Sequence, residues 1–296
     1  MYYLELIRGA NRQDELMMEP YRILNPAPRV PIVANIPHAA AFIPPEYRSQ
    51  FVLTDAELES EHRAIVDWFT DELYAPIVRA GGAALVATMS RLLVDTERFV
   101  DDEVETMAAR GMGVVYTRTT DLSPLRRPLT RGERAELVSR IYEPYHAALR
   151  SLIEHTVARF GRCLILDCHS FPAVALPYEE VDTGPVCVTA HSPASERGAP
   201  RPAICFGTDR VHTPPDLVSR FEAITAEFGW SHARNTPFGG TVVPHAAVGD
   251  ERVSSLMLEV NRALYMDEQT TTRTPGFRTV ERWVAVLTEA AVESLG

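Results

Sequence analysis

The chain has 296 residues, a formal charge of −11, a hydrophobic fraction of 46% and a charged fraction of 23%, the balance of a globular protein with room for a large core. No apolar run approaches the roughly 20 residues of a membrane-spanning helix. The acidic excess and scattered arginines oppose phosphate backbones and anionic lipid, so neither nucleic acid nor membrane is expected as a partner.

The N-terminus Met1-Tyr2-Tyr3-Leu4-Glu5 lacks the basic and apolar segments of a secretory leader, and the expected location is cytoplasmic. Cys163, Cys168, Cys187 and Cys205 form no Cys-x-x-Cys pair and read as reduced core residues.

One domain is expected over residues 1–296, with 1–30 as a lead-in that carries the Pro-rich stretch Asn25-Pro26-Ala27-Pro28-Arg29. The first strand is predicted over 31–36. A helix follows, with Leu58, Ile65, Trp68, Phe69, Leu73, Ile77 and Val78 at helical spacing, Asp55 near its start and Gly81-Gly82 at its end. A strand over 83–87 comes next. The second helix opens on the capping box Thr130-x-x-Glu133, carries Leu137, Ile141, Leu149, Leu152 and Ile153, and stops at Gly161. Short apolar runs predict strands over 163–167, 186–190 and 203–206, and a helix runs from Pro214-Pro215-Asp216 to Gly229. A strand over 255–260 and a helix over 280–295, with Trp283 and Leu287 on one side, close the chain. The alternation implies an α/β fold: a mixed, largely parallel sheet flanked by helices, with ligands beyond the carboxyl ends of the strands.

Polar residues at those ends are therefore the candidates for chemistry. His38 and His169 each leave a buried strand, where a neutral imidazole can ligate a divalent metal or simply cap the strand. Asp167, two residues before His169, shares its face and suits a carboxylate that orients the ring or a bound water. A third ligand is open among Glu61, His62 and Asp67 on the first helix, against the alternative of solvated helical charges. Glu259 alternates with Met257 on a buried strand, where desolvation raises a carboxyl toward the range of a general base. Its alternative is an ion pair with an arginine such as Arg262.

In order, Ile36-Pro37-His38-Ala39, Val66-Asp67-Trp68, Ser90-Arg91, Val94-Asp95-Thr96-Glu97-Arg98, Tyr142-Glu143-Pro144-Tyr145-His146, Asp167-Cys168-His169-Ser170, Asn235-Thr236-Pro237-Phe238-Gly239-Gly240 and Leu258-Glu259 resemble the N-formylglutamate amidohydrolases, a family similar to the zinc carboxypeptidases and aspartoacylase. The resemblance implies a phosphorylase/hydrolase-like, zinc-carboxypeptidase-like fold. It also implies Zn2+ on His38, Asp67 and His169, with Asp167 and Asp95 as supporting carboxylates. Arg98, and Arg91 beside it, are implied to bind the carboxylates of a small N-acyl amino acid, with Asn235, Gly239 and Gly240 lining the pocket.

Three departures from the patterns of these relatives stand out. Glu97 stands where many relatives have Asn and adds a negative charge beside the implied anion site. Ala41 occupies the third position after His38, where carboxypeptidases have Glu, and Thr241-Val242 follows the glycine pair in place of an aromatic residue. The expected reaction is zinc-assisted hydrolysis of N-formyl-L-glutamate or a close analogue, with Glu259 moving the proton. The alternatives are a carboxypeptidase-like or other N-acyl amino acid deacylase, and a metal-binding relative that recognises an acidic ligand without cleaving it.

Overall fold

The computed structural model describes residues 19–180 and 201–296. In chain order the elements are β1 (Tyr21–Leu24), β2 (Ile32–Ile36), α1 (Asp55–Ile65), α2 (Thr70–Leu73), α3 (Ala75–Arg79), β3 (Ala83–Ala87), α4 (Arg131–Leu137), α5 (Glu143–Phe160) and β4 (Cys163–Phe171). They continue as β5 (Ile204–Gly207), α6 (Pro215–Glu227), β6 (His232–Arg234), β7 (Val253–Asn261), β8 (Met266–Asp267), β9 (Thr272–Arg273) and α7 (Gly276–Leu295). The strand predicted over 186–190, with Cys187, lies outside the described residues.

Seven strands form one sheet in the order β1-β3-β2-β4-β7-β5-β6. The central strands β3, β2, β4 and β7 run parallel, whereas β1 and β5 join antiparallel to β3 and β7. This is the mixed, largely parallel sheet that the sequence pattern implies. Strand β1 falls within the segment read as a lead-in and supplies one edge. The β8–β9 pair carries too few residues to show a period.

Strand alternation divides the core. Ile32, Ala34, Ile36, Leu164, Leu166, Cys168, Leu256, Leu258 and Val260 pack on one face against residues of α3, α6 and α7, including Trp283. Val33, Leu85, Cys163, Ile165 and Val253 pack on the other against Tyr145, Leu149, Leu152 and Ile153 of α5. By the same alternation Asn35, Asp167, His169 and Glu259 belong to the α5 face. In the aligned β4–β7 pair His169 stands directly beside Glu259, and Asp167 stands beside Asn35 of β2. Parallel strands bring all of these ends, and His38 just beyond β2, to one edge of the sheet. Tyr74 ties the two longest strands from the opposite face, its hydroxyl donating to the carbonyls of His169 (3.0 Å) and Leu258 (2.9 Å).

The first predicted helix is broken. Its start is capped by Thr54 and Glu57 as a reciprocal box, but Val66 is extended (φ −73°, ψ 137°) and Phe69 is left-handed (φ 65°). Asp67 therefore lies between helices and not on one, because its N–H leaves the helical ladder to donate to His38 O at 2.9 Å. Hydrophobic spacing continues across the break and hides it. The second predicted helix is α4 and α5 joined through a π-helical turn, Val138–Tyr142, and it ends at left-handed Gly161 (φ 75°).

Trp283 is fully buried, donates from Nε1 to Thr225 Oγ1 at 3.0 Å and lies 5.9 Å from the Trp230 ring. Trp283→Ala is expected to lower stability by about 3–5 kcal/mol, measured by urea denaturation. A loss under about 1 kcal/mol would contradict its place at the centre of that layer.

Candidate active site

His38 reaches the site from the end of β2, Asp67 from the break between α1 and α2, and His169 from within β4; all three are buried. Their atoms converge. His38 Nδ1 lies 3.2 Å from His169 Nδ1, Asp67 Oδ2 lies 3.1 Å from His169 Nδ1, and Asp67 Oδ2 lies 3.7 Å from His38 Nδ1. The other nitrogen of each ring is committed. His38 Nε2 faces Asp95 Oδ1 at 2.9 Å, and His169 Nε2 faces Asp167 Oδ1 at 3.1 Å and Glu97 Oε2 at 3.0 Å. With Nε2 of each ring donating to carboxyl oxygen, Nδ1 is the nitrogen left to offer a lone pair to a cation at the centre.

The donor set suits a small divalent cation. Tetrahedral zinc with bonds of about 2.0–2.1 Å sets its ligand atoms about 3.3 Å apart, close to the separations found here. Asp67 is held for the purpose: Arg262 Nη2 donates to Oδ1 at 3.2 Å and Ser170 N donates to Oδ2 at 3.3 Å. Arg262 Nη1 also donates to Ala64 O at 2.7 Å, a carbonyl of the last turn of α1 that the helix leaves open. A second group of potential ligand atoms, on Glu97, Asp167 and His169 Nε2, lies behind the ring and is already joined by hydrogen bonds.

Burial opposes ionisation throughout, and the local partners decide the outcome. At Asp95 burial is outweighed by Arg91, His38 and Arg98, which hold the carboxyl well below its usual range. Asp67 is likewise held down against burial by its bonds to His169 and His38. His169 is raised against burial by the charges of Glu97 and Asp167.

At Glu259 the help from His169 and Arg262 is outweighed. Burial, with Asp67 and Glu97 nearby, pushes it up to about 8, and its Oε2 has no hydrogen-bond partner among the described residues. The arginine considered for it, Arg262, binds Asp67 instead.

Arg91 makes a paired contact with Asp95 Oδ2, from Nε at 3.2 Å and Nη2 at 2.7 Å, and Tyr116 Oη donates to the same oxygen at 2.7 Å. Arg98 is looser. Its Nε lies 3.6 Å from Asp95 Oδ2 and has no hydrogen-bond partner among the described residues. Glu97 turns inward to His169 and Asn35, so its charge is absorbed there. Glu61 binds Thr120 and His62 binds Ser90, which commits both away from the converging atoms. Asn235, left-handed at φ 53°, braces a turn: its Oδ1 accepts from Thr208 N (2.8 Å) and Gly240 N (3.3 Å), and its Nδ2 donates to Thr208 Oγ1 (2.8 Å). The loop from Gly239 and Gly240 then reaches the site through Val242 N, which donates to Asp167 Oδ2 at 2.9 Å.

Sequence reasoning passed over Asn35, Tyr116, Tyr145 and the role of Arg262. For Asn35 a signal existed, since it is the lone polar residue in Ile32-Val33-Ala34-Asn35-Ile36. Tyr145 is marked only by its place in the segment Tyr142-Glu143-Pro144-Tyr145-His146, and Tyr116 carries no mark.

A family model described as N-formylglutamate amidohydrolase matches residues 30–266. The N-formylglutamate deformylase of Pseudomonas aeruginosa is 29% identical over 257 residues, covering 81% of this chain and 84% of that protein. The N-formylglutamate deformylase of Pseudomonas putida is 25% identical over 246 residues, covering 81% and 83%. The crystal structure of N-formylglutamate amidohydrolase from Ralstonia eutropha JMP134 superposes with a TM-score of 0.78 at 28% identity, covering 94% of this chain and 99% of that one.

The raised carboxyl of Glu259 has a measurable consequence. A folded-state value near 8, above the ordinary 4.5, means the folded protein binds the extra proton, so this stabilisation is complete below 4.5 and is lost as pH rises toward 8. In chelator-treated protein, the stability of the native chain relative to Glu259→Gln is therefore expected to fall by on the order of a few kcal/mol across that interval. Urea denaturation at a series of pH values measures it, and a flat difference would contradict the assignment.

Proposed function

Because the chain belongs to the N-formylglutamate amidohydrolase family, we propose that it hydrolyses the amide bond of N-formyl-L-glutamate or a close analogue, releasing formate and the free amino acid. The observation that carries this reading is the convergence of His38 Nδ1, His169 Nδ1 and Asp67 Oδ2, with Glu259 beside His169 in the β4–β7 register.

Those three side chains would hold zinc, which when bound supplies positive charge to polarise the formyl carbonyl and to acidify water. Asp95 and Asp167 keep the ligating nitrogens bare by accepting the opposite N–H of each ring. Glu259 takes a proton from the attacking water as the new C–O bond forms. It returns that proton to the amine nitrogen as the C–N bond breaks, so one carboxyl serves as base and then acid. Its Oε2, unpartnered among the described residues, is free for both steps. A cation nearby lowers the raised pKa of Glu259 and so increases its basic form near neutral pH.

Arg98 is the residue for the substrate carboxylate. Its guanidinium is mostly buried, and its Nε keeps an unused donor. Arg91 acts beside it while anchored on Asp95. The turn built by Asn235, Gly239 and Gly240 shapes the pocket wall, tied to the centre through Asp167. Holding the carboxylate at one end and the formyl group at the other removes much of the entropic barrier to attack.

Formate release from a panel of N-acyl amino acids is expected to rank N-formyl-L-glutamate above N-acetyl and neutral N-formyl analogues. Chelation should abolish turnover, and zinc should restore it. Glu259→Gln should retain zinc and lower kcat by about 10²–10⁴-fold, while Arg98→Ala should raise KM for the acidic substrate. Turnover that is indifferent to chelation, or undiminished in Glu259→Gln, would overturn the proposal.

A further inference from the structure

Asn35 is fully buried within an apolar strand. Both hydrogens of its amide go to carboxyls, since Nδ2 donates to Asp167 Oδ1 and to Glu97 Oε1, each at 2.9 Å. The same two carboxyls face His169 Nε2, at 3.1 and 3.0 Å. The amide itself is oriented by Tyr145, whose hydroxyl donates to Asn35 Oδ1 at 2.6 Å. A reversed amide would aim its oxygen at two carboxyls and its nitrogen at a hydroxyl, leaving several buried groups mismatched.

These contacts form a chain from helix α5 to the metal-facing ring. Tyr145 sets Asn35, Asn35 gathers Asp167 and Glu97, and the two carboxyls fix the Nε2–H of His169. Two carboxyls crowded on one imidazole N–H repel each other, and the amide supplies the positive dipole that offsets the repulsion. Val242 N holds the other oxygen of Asp167, but among the described residues only the Asn35 amide donates to both carboxyls.

We propose that Asn35 is a positioning residue of the cation site: its amide clamps Asp167 and Glu97 around His169 Nε2, so that Nδ1 is presented bare toward His38 and Asp67. The proposal rests on the reading of His38, Asp67 and His169 as the cation ligands. It also gives Glu97 a task, as the second jaw of the clamp.

The test is zinc affinity, measured by competition with a chromophoric chelator on the full-length native protein, Asn35→Ala and Tyr145→Phe, with thermal melting of the metal-free proteins as the check on folding. Asn35→Ala is expected to bind zinc about 10–100-fold more weakly, with turnover at low zinc restored by excess zinc. Tyr145→Phe should weaken binding by a smaller factor, since the amide remains but loses its orienting bond. A folded Asn35→Ala that binds zinc within about twofold of the native protein overturns the proposal while leaving the cation site standing. Should Asn35→Ala fail to fold, unchanged zinc affinity in Tyr145→Phe overturns it instead. A native protein that takes up no zinc overturns the cation-site reading together with the clamp.

Discussion

His38 and His169 turn the same nitrogen toward each other, Nδ1 to Nδ1 at 3.2 Å, because each has its Nε2 committed to carboxyl oxygen. Two imidazole lone pairs and the Asp67 carboxylate then face one another in a buried space. Such an arrangement is untenable without positive charge at its centre, whether a proton or a metal ion. Much of the surrounding structure follows from that constraint. Asp95 is met in the interior by Arg91, Tyr116 and Arg98, Asp67 by Arg262, and Asp167 by the N–H groups of Asn35 and Val242.

The fold meets these needs with ordinary parts. Parallel neighbours β2, β4 and β7 bring their carboxyl ends to one edge, so residues far apart in the chain become register partners. The break after α1 does the rest. A continuous helix would keep the Asp67 N–H in its own ladder, whereas here that N–H bonds to His38 O and the side chain lies against both rings. Glu259 owes its raised pKa to the same burial that strengthens the ion pairs around it, with no guanidinium bonded to its free oxygen among the described residues. Desolvation therefore does two jobs within a few ångströms: it tightens the pairs that hold His38, His169 and Asp67 and keeps one carboxyl able to exchange a proton near neutral pH.

How much of this was legible in the sequence varied with the kind of signal. Buried strands announce themselves as short apolar runs, and β2, β3 and β7 lie where those runs predict. His38 and His169 were visible as ionisable residues at strand ends, and Glu259 as a carboxyl inside an apolar run. Asp67 was not, because hydrophobic spacing continues through the helix break and only the resemblance singled it out. Glu97 looked like an added charge beside the anion site; the direction of its side chain, inward to His169, is a tertiary fact. The partners of the carboxylates were least legible. Tyr116 and Arg262 matter through long-range pairing, which leaves no period and no motif behind, and Tyr145 stood within a family segment that did not reveal its partner. Asn35 lies between these cases, marked as polar on a buried strand but with its partners unreadable.

The central claim is that a divalent cation sits between His38 Nδ1, His169 Nδ1 and Asp67 Oδ2. Anomalous diffraction at the zinc absorption edge, from crystals of the native protein grown with zinc, tests it most directly. The account predicts one strong peak within bonding distance of those three atoms. A peak on the other side of the His169 ring, among Nε2, Asp167 and Glu97, or no peak at either place, would contradict it.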